Sequence, residues 1–146
     1  MLKGAILGTL GAVLAFAVLA LLKSCPMINV VEMGRTPEYP DLQPRQYQAR
    51  TDLVFEAALR AVNAMPRWTV VSSRGEEGEI RAEARTRLLR FVDDVVIRIE
   101  EQVGGTVVNV RSASRIGRSD FGQNARNVRA FFDELDRQMK GVADRT

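Results

Sequence analysis

The chain has 146 residues, a formal net charge of +3 at pH 7, no histidine and one cysteine. The absence of histidine removes the commonest general base, the usual metal ligand and the near-neutral pH switch, and a lone Cys25 excludes an intrachain disulfide or a Cys/His zinc site. Lys3 and Lys23 flank the apolar start, so the remainder is nearly neutral and the high isoelectric point does not signal nucleic-acid binding.

Residues 4–22, GAILGTLGAVLAFAVLALL, are uncharged, with Thr9 their only polar side chain. At ~1.5 Å per residue a helix of that length spans roughly 28 Å, close to the thickness of a bilayer core. Residues 1–23 are therefore expected to form a transmembrane anchor or uncleaved signal anchor. A cleaved signal peptide fits less well, because the apolar stretch is long and no A-x-A site follows. A lipidated Cys25 fits less well because Lys23 is a poor residue at that place in a lipoprotein signal. Lys3 and the amino terminus favour an inside N-terminus, with Lys23 opposing by one charge. The expectation is a single-pass protein of a bacterial inner membrane with its C-terminal domain periplasmic. Gly4, Gly8 and Gly11 give a small-xxx-small spacing compatible with helix pairing.

Residues 24–50 hold Pro26, Pro37, Pro40 and Pro44, a density that forbids a regular helix and favours extended chain. They read as a tether that partly packs on the domain that follows, 51–146. There Thr51 is placed to N-cap a helix through Met65, with Phe55, Ala58, Leu59 and Val62 on one stripe and Pro66 as its stop. RWTVVSS (67–73) reads as a strand and SRGEEG as a turn. EIRAEART alternates, with Ile80, Ala82 and Ala84 on one face and Glu79, Arg81, Glu83 and Arg85 on the other. RFVDDVVIRIE and TVVNVRS read as two more strands. Gly104-Gly105 as a primed turn would set Ile99 against Val110 and Asp94 against Arg115. Ala125–Met139 reads as a helix with Val128, Phe132, Leu135 and Met139 inward, capped by Asn124, Asp120 or Ser119. The expected fold is α+β: a two-layer sandwich of a four-stranded antiparallel sheet with a helix before and after it, its strand tryptophan Trp68 in the core.

Between Arg111 and Arg129 stand five arginines (Arg111, Arg115, Arg118, Arg126, Arg129) and one acid, Asp120. Arg126 and Arg129 fall in the first turns of the last helix, where cations oppose the helix dipole. Two offsets are open. One is a network in which Asp93, Asp94 and Asp120 pair with these arginines. The other is a bound anion, a small ion or lipid headgroup, held by Arg forks, helix N–H groups and the hydroxyls of Ser114 and Ser119. Asp94, Arg111, Ser114, Arg115, Ser119, Asp120, Asn124, Arg126 and Arg129 are the candidate site. Serine catalysis is disfavoured: no histidine exists, and Lys140 sits at the far end of the last helix. Asp93 and Asp94, adjacent on a strand, point to opposite faces and do not share a proton or metal. No EF-hand spacing supports calcium, and no catalytic residue, metal or cofactor is implied.

FVDDV (91–95) followed by RSASRIGRSDFGQN (111–124) resembles domain-of-unknown-function family 1499. Its pattern, F-x-D-D-V and then R-S-A-S-R-x-G-x-S-D-x-G-x-N, is met at every fixed position from Arg111 to Asn124. The resemblance covers about residues 25–140. Cys25-Pro26 and Asn29 match the family's opening element, while Val30 stands where its second cysteine falls, and Val96 replaces the glutamate that often follows DDV. The resemblance implies one domain with residues 93–124 as its signature and no particular reaction. Residues and resemblance together suggest a non-enzymatic, membrane-anchored envelope module with an Arg-rich site for an anionic group. The alternatives are a structural subunit of a membrane protein complex, its charged motif internal, and a hydrolase of unfamiliar type.

Overall fold

In the computed structural model, which describes residues 27–143, the chain runs β1 (Val30–Glu32), β2 (Arg45–Tyr47), α1 (Thr51–Ala64), β3 (Trp68–Arg74), β4 (Glu79–Arg85), β5 (Val92–Gln102), β6 (Gly105–Ser114) and α2 (Gln123–Ala143). The antiparallel sheet has six strands rather than the expected four, in the order β1-β6-β5-β4-β3, with β2 also on β6. The two additional strands come from the proline-rich stretch. They lie end to end along the outer edge of β6, Val30–Glu32 opposite Ala113–Arg111 and Arg45–Tyr47 opposite Val108–Thr106. Three-residue strands carry no period of their own; what makes them strands is the unpaired edge of β6, whose N–H and C=O groups need partners.

Strand alternation sorts the faces as expected. Ile80, Ala82 and Ala84, with Val95, Ile97, Ile99, Val108 and Val110, are buried against the helices. The opposite face carries an ion-pair lattice that includes Arg81–Glu79 at 2.7 Å and Arg85–Glu83 at 3.1 Å. From α1, Val54, Phe55, Ala57, Ala58, Ala61 and Val62 enter the core. From α2, Val128, Phe131, Phe132 and Leu135 do so. Trp68 packs against this core, stacked on Phe131 with ring centroids 6.5 Å apart. A register shift between Val70 and Ser72 leaves Val71 out of the ladder and exposed.

Two local expectations need correction. Thr51 is the first residue of α1 rather than its cap; Arg50 holds the cap position without a side-chain bond, and the Thr51 hydroxyl meets that of Thr106 at 3.1 Å. The β5–β6 turn is Val103-Gly104, not Gly104-Gly105, so Ile99 faces Val108 and Asp94 faces Ala113. Gly104 supplies the turn's positive φ of 88°. Gly105 is glycine for a different reason: at φ 144°, a Cβ there would collide with the Tyr47 carbonyl oxygen where β2 ends. The slip is two residues, so every side chain keeps its face.

Among the described residues no helix is long and apolar enough to cross a bilayer. The segment 4–22, expected to be the membrane anchor, lies outside them.

Candidate functional site

The two signature segments, 91–95 and 111–124, meet at one end of the sheet. There β4 hands over to β5 through residues 86–91, β6 to α2 through residues 115–122, and the chain enters the domain at 27–29. Parity along β5 turns Asp93 inward with Val95 and Ile97 and turns Asp94 outward. Asp93 is 1% exposed, and among the described residues no cation pairs with it; its partners are neutral donors. It accepts from the Ser114 hydroxyl at 2.6 Å and from Asn127 Nδ2 at 2.8 Å. Asn124 Nδ2 donates to Ser114 Oγ and to the Asn29 carbonyl, both at 2.9 Å, while Asn124 Oδ1 accepts from Ser112 Oγ at 2.5 Å. Ser112 and Ser114 share the inner face of β6, and Asn124 and Asn127 lie three apart on the inner face of α2. This web of one carboxylate with hydroxyl and amide groups ties β5, β6 and the entry residue Asn29 to α2, and among the described residues no buried side-chain N or O atom lacks a partner. The Ser114 hydroxyl gives its proton to Asp93 and accepts from Asn124, which commits it as a crosslink.

The expected pairing of Asp93 and Asp120 with arginines does not occur; only Asp94 takes that part. Arg115 holds Asp94 through Nε–Oδ2 at 2.9 Å and Nη2–Oδ1 at 2.6 Å, and Nη2 also reaches Glu83 Oε1 at 2.6 Å. This fork, helped by the field of Arg111, holds the Asp94 carboxyl below its ordinary range and raises the Arg115 guanidinium above its own. Both side chains stay nearly half exposed, on the outer face of the sheet. Asp120 instead caps α2: its carboxylate accepts from the N–H of Gly122 at 2.8 Å and of Asn124 at 2.6 Å. That negative charge at the helix start offsets the arginines of the first turns. Arg129 lies against Asp41 at 2.7 Å and over the Tyr39 ring, and its hydrogen bond lowers the Asp41 carboxyl. Arg126 donates to the Phe121 carbonyl at 2.9 Å and to Gln123 Oε1 at 3.1 Å, and meets no acid among the described residues. The single arginine cluster of the sequence is thus three separate groups: Arg111 and Arg115 on the outer sheet face, Arg129 on the flank of α2, and Arg118 with Arg126 at the end loops.

Above the buried web, the two end loops enclose a cleft of about 540 Å³. Leu88, Leu89 and Phe91 wall one side, Ile116 and Phe121 the other. The floor is polar, with Asp93, Ser114, Ser119 and Asp120, and Arg87 and Arg126 complete the lining. Leu88 is 91% and Leu89 69% exposed, far beyond what a scattered surface leucine requires once five such side chains converge. The base of the first loop is pinned by Thr86 N–H to the Phe91 carbonyl and Phe91 N–H to Thr86 Oγ1, each 2.9 Å. Next to the cleft is a concavity of about 380 Å³ lined by Arg67, Arg85, Arg87 and Arg90. The three non-glycine residues with positive φ among those described, Arg67, Arg90 and Phe121, all stand in the loops of this end. Backbone strain of that kind persists where surrounding structure imposes it and concentrates at ligand-contacting loops. A larger concavity of about 980 Å³ at the opposite end is a shallow surface beside the β5–β6 turn, without convergent apolar walls.

Among the described residues no group of three or more acidic or cysteine side chains could hold a metal. The sequence reading identified Ser114, Ser119, Asp120 and Arg126 of the cleft. It missed the Leu88, Leu89, Phe91, Ile116 and Phe121 walls and the roles of Asp93, Ser112 and Asn127. The run LLRF ahead of the acidic pair was the available signal for the first wall.

Fold and site define a two-layer α+β domain with helices on one face and an apolar, polar-floored cleft at the sheet end where its signature loops meet. The chain belongs to the family described as protein of unknown function (DUF1499), whose model matches residues 20–135 and so spans both signature segments. No curated protein and no solved structure matches the chain.

Proposed function

We propose that the protein is a membrane-tethered, non-enzymatic binding module of the cell envelope, whose end cleft takes an anionic group carried on an apolar body. One observation carries the reading: convergence of Leu88, Leu89, Phe91, Ile116 and Phe121 over a polar floor with Arg87 and Arg126 alongside. About 540 Å³ lies within the range of small-molecule sites, and such sites pair mostly apolar walls with a few placed polar groups. The walls supply burial of an alkyl or ring portion. The guanidinium of Arg126, without a carboxylate partner among the described residues, supplies charge-assisted hydrogen bonds to phosphate or carboxylate. The uncharged stretch 4–22 supports an anchor in the inner membrane with the domain on its periplasmic side.

Photo-crosslinking tests it. The full chain in nanodiscs is exposed to a diazirine-bearing alkyl phosphate, and adducts are mapped by mass spectrometry. Adducts are expected on residues 88–91 and 116–121, competed by dodecyl phosphate but not by dodecyltrimethylammonium, and reduced in Arg126→Ala. Adducts scattered over the surface, or equal competition by the cationic amphiphile, would count against the reading.

A further inference from the structure

We propose that this end of the domain is a membrane-docking face: the loops 86–91 and 115–122 seat on the bilayer that anchors the chain, apolar side chains entering the interface and arginines meeting anionic headgroups. The inference rests on the membrane-anchor reading of residues 4–22 and does not require that the cleft hold a ligand.

Three independent observations converge. The first is composition. Met27, Leu88, Leu89, Ile116 and Phe121 are all more than half exposed, and all stand at this end. Interleaved with them are Arg67, Arg87, Arg90 and Arg118, exposed and without an ion pair among the described residues. Apolar side chains set among arginines are the chemistry of an interfacial anchor on an anionic surface. The nearby acids are already engaged, Asp93 in the buried web and Asp120 on helix N–H groups.

The second is where the chain enters. Residues 28 and 29 are stitched to this same end: the Ile28 carbonyl accepts from Asp120 N–H at 3.0 Å and the Asn29 carbonyl from Ser114 N–H at 2.8 Å. Asn29 Nδ2 donates to the Gly117 carbonyl at 2.8 Å. Only residues 23–26 separate the apolar segment from the first described residue. The five steps from residue 22 to residue 27 reach at most about 18 Å. The end loops are held beside the bilayer at high effective concentration, so weak contacts suffice to seat them.

The third is polarity along the strands. The opposite end carries Glu76 in the β3–β4 turn and Glu100 and Glu101 beside the β5–β6 turn, none in an ion pair among the described residues, while Glu77 pairs with Arg74 at 2.5 Å. An anionic surface repels that end and attracts the arginine end.

The test uses the full chain in nanodiscs of phosphatidylglycerol and phosphatidylcholine. In a Cys25→Ser background an environment-sensitive fluorophore is attached at Leu88→Cys, Phe121→Cys or, at the far end, Val103→Cys. Each of these side chains is more than half exposed, so the labels leave the core intact. The labels at 88 and 121 are expected to shift to the blue and be quenched by nitroxide-bearing lipid, and the label at 103 to do neither. Quenching at 121 is expected to fall in the Leu88→Ser/Leu89→Ser double variant, and in phosphatidylcholine-only discs. Equal signals at all three positions would overturn the proposal. So would labels at 88 and 121 that are shielded from aqueous quencher yet unquenched by the lipid nitroxide, which would place a protein on this face. Failure of the chain to assemble into discs at all would refute the anchor reading itself. Docking without alkyl-phosphate adducts would leave this inference standing and remove the cleft ligand.

Discussion

Asp93 and Asp94 are neighbours in sequence with opposite fates, and the contrast explains most of the site. One peptide unit separates a carboxylate buried among hydroxyl and amide donors from one half-open to water beside a guanidinium. Asp93→Ala should destabilise by about 1–3 kcal/mol for each donor left without an acceptor, here Ser114 Oγ and Asn127 Nδ2, measured by urea unfolding. Asp94→Ala should barely move the midpoint, because exposed pairs contribute little and Arg115 keeps Glu83. A midpoint shift as large as that of Asp93→Ala would show that the outer pair is structural. Arg115 depresses the Asp94 carboxyl, so the pair's contribution is present above the ordinary carboxylate pKa of about 3.9 and is lost as pH falls through the lower folded value. The gap between wild type and Asp94→Asn should therefore close only below about pH 4. Alternation revealed which way each aspartate points. It did not reveal what Asp93 meets, because serine and asparagine partners leave no charge signature, whereas the nearby arginines suggested ion pairs.

Helices and long strands were legible because each carries its own period. The stripe of α1 and the alternation of β4, β5 and β6 are set by which side chains face the helices. The strands β1 and β2 were not legible: three residues cannot express a period, and their pairing is dictated by the edge of β6. The β5–β6 register was misjudged by two residues because two adjacent glycines serve different needs, a turn at Gly104 and a close crossing by Tyr47 at Gly105. The start of α2 is an element whose cap was narrowed to three residues by sequence and to Asp120 by structure. Asp120→Ala should cost about 0.5–2 kcal/mol. Asp120→Asn, which keeps an acceptor, should cost less. Equal losses from the two variants in thermal unfolding would show that the negative charge rather than the hydrogen bond holds the helix start. The cleft walls escaped sequence reading for a related reason. Leu88, Leu89, Ile116 and Phe121 sit in loops, where no periodicity separates a side chain that packs from one that is left out.

As a body the domain is polar from end to end. Entry of the chain, the strained loops, most of the exposed apolar side chains and Arg67, Arg87, Arg90 and Arg118 are gathered at one end, while Val103 and the glutamates of two tight turns mark the other. The buried web of Asp93, Ser112, Ser114, Asn124 and Asn127 holds the two loops in fixed relation. A fixed relation of this kind is what the proposed docking face and cleft require. Amide hydrogen exchange of the full chain, compared between anionic and wholly zwitterionic nanodiscs, reads this arrangement across the whole domain at once. Exchange in residues 86–91 and 115–122 should be slower on the anionic disc, with residues 99–106 unchanged. Identical exchange on both discs in the two loops, or slowing confined to the far turns, would contradict it.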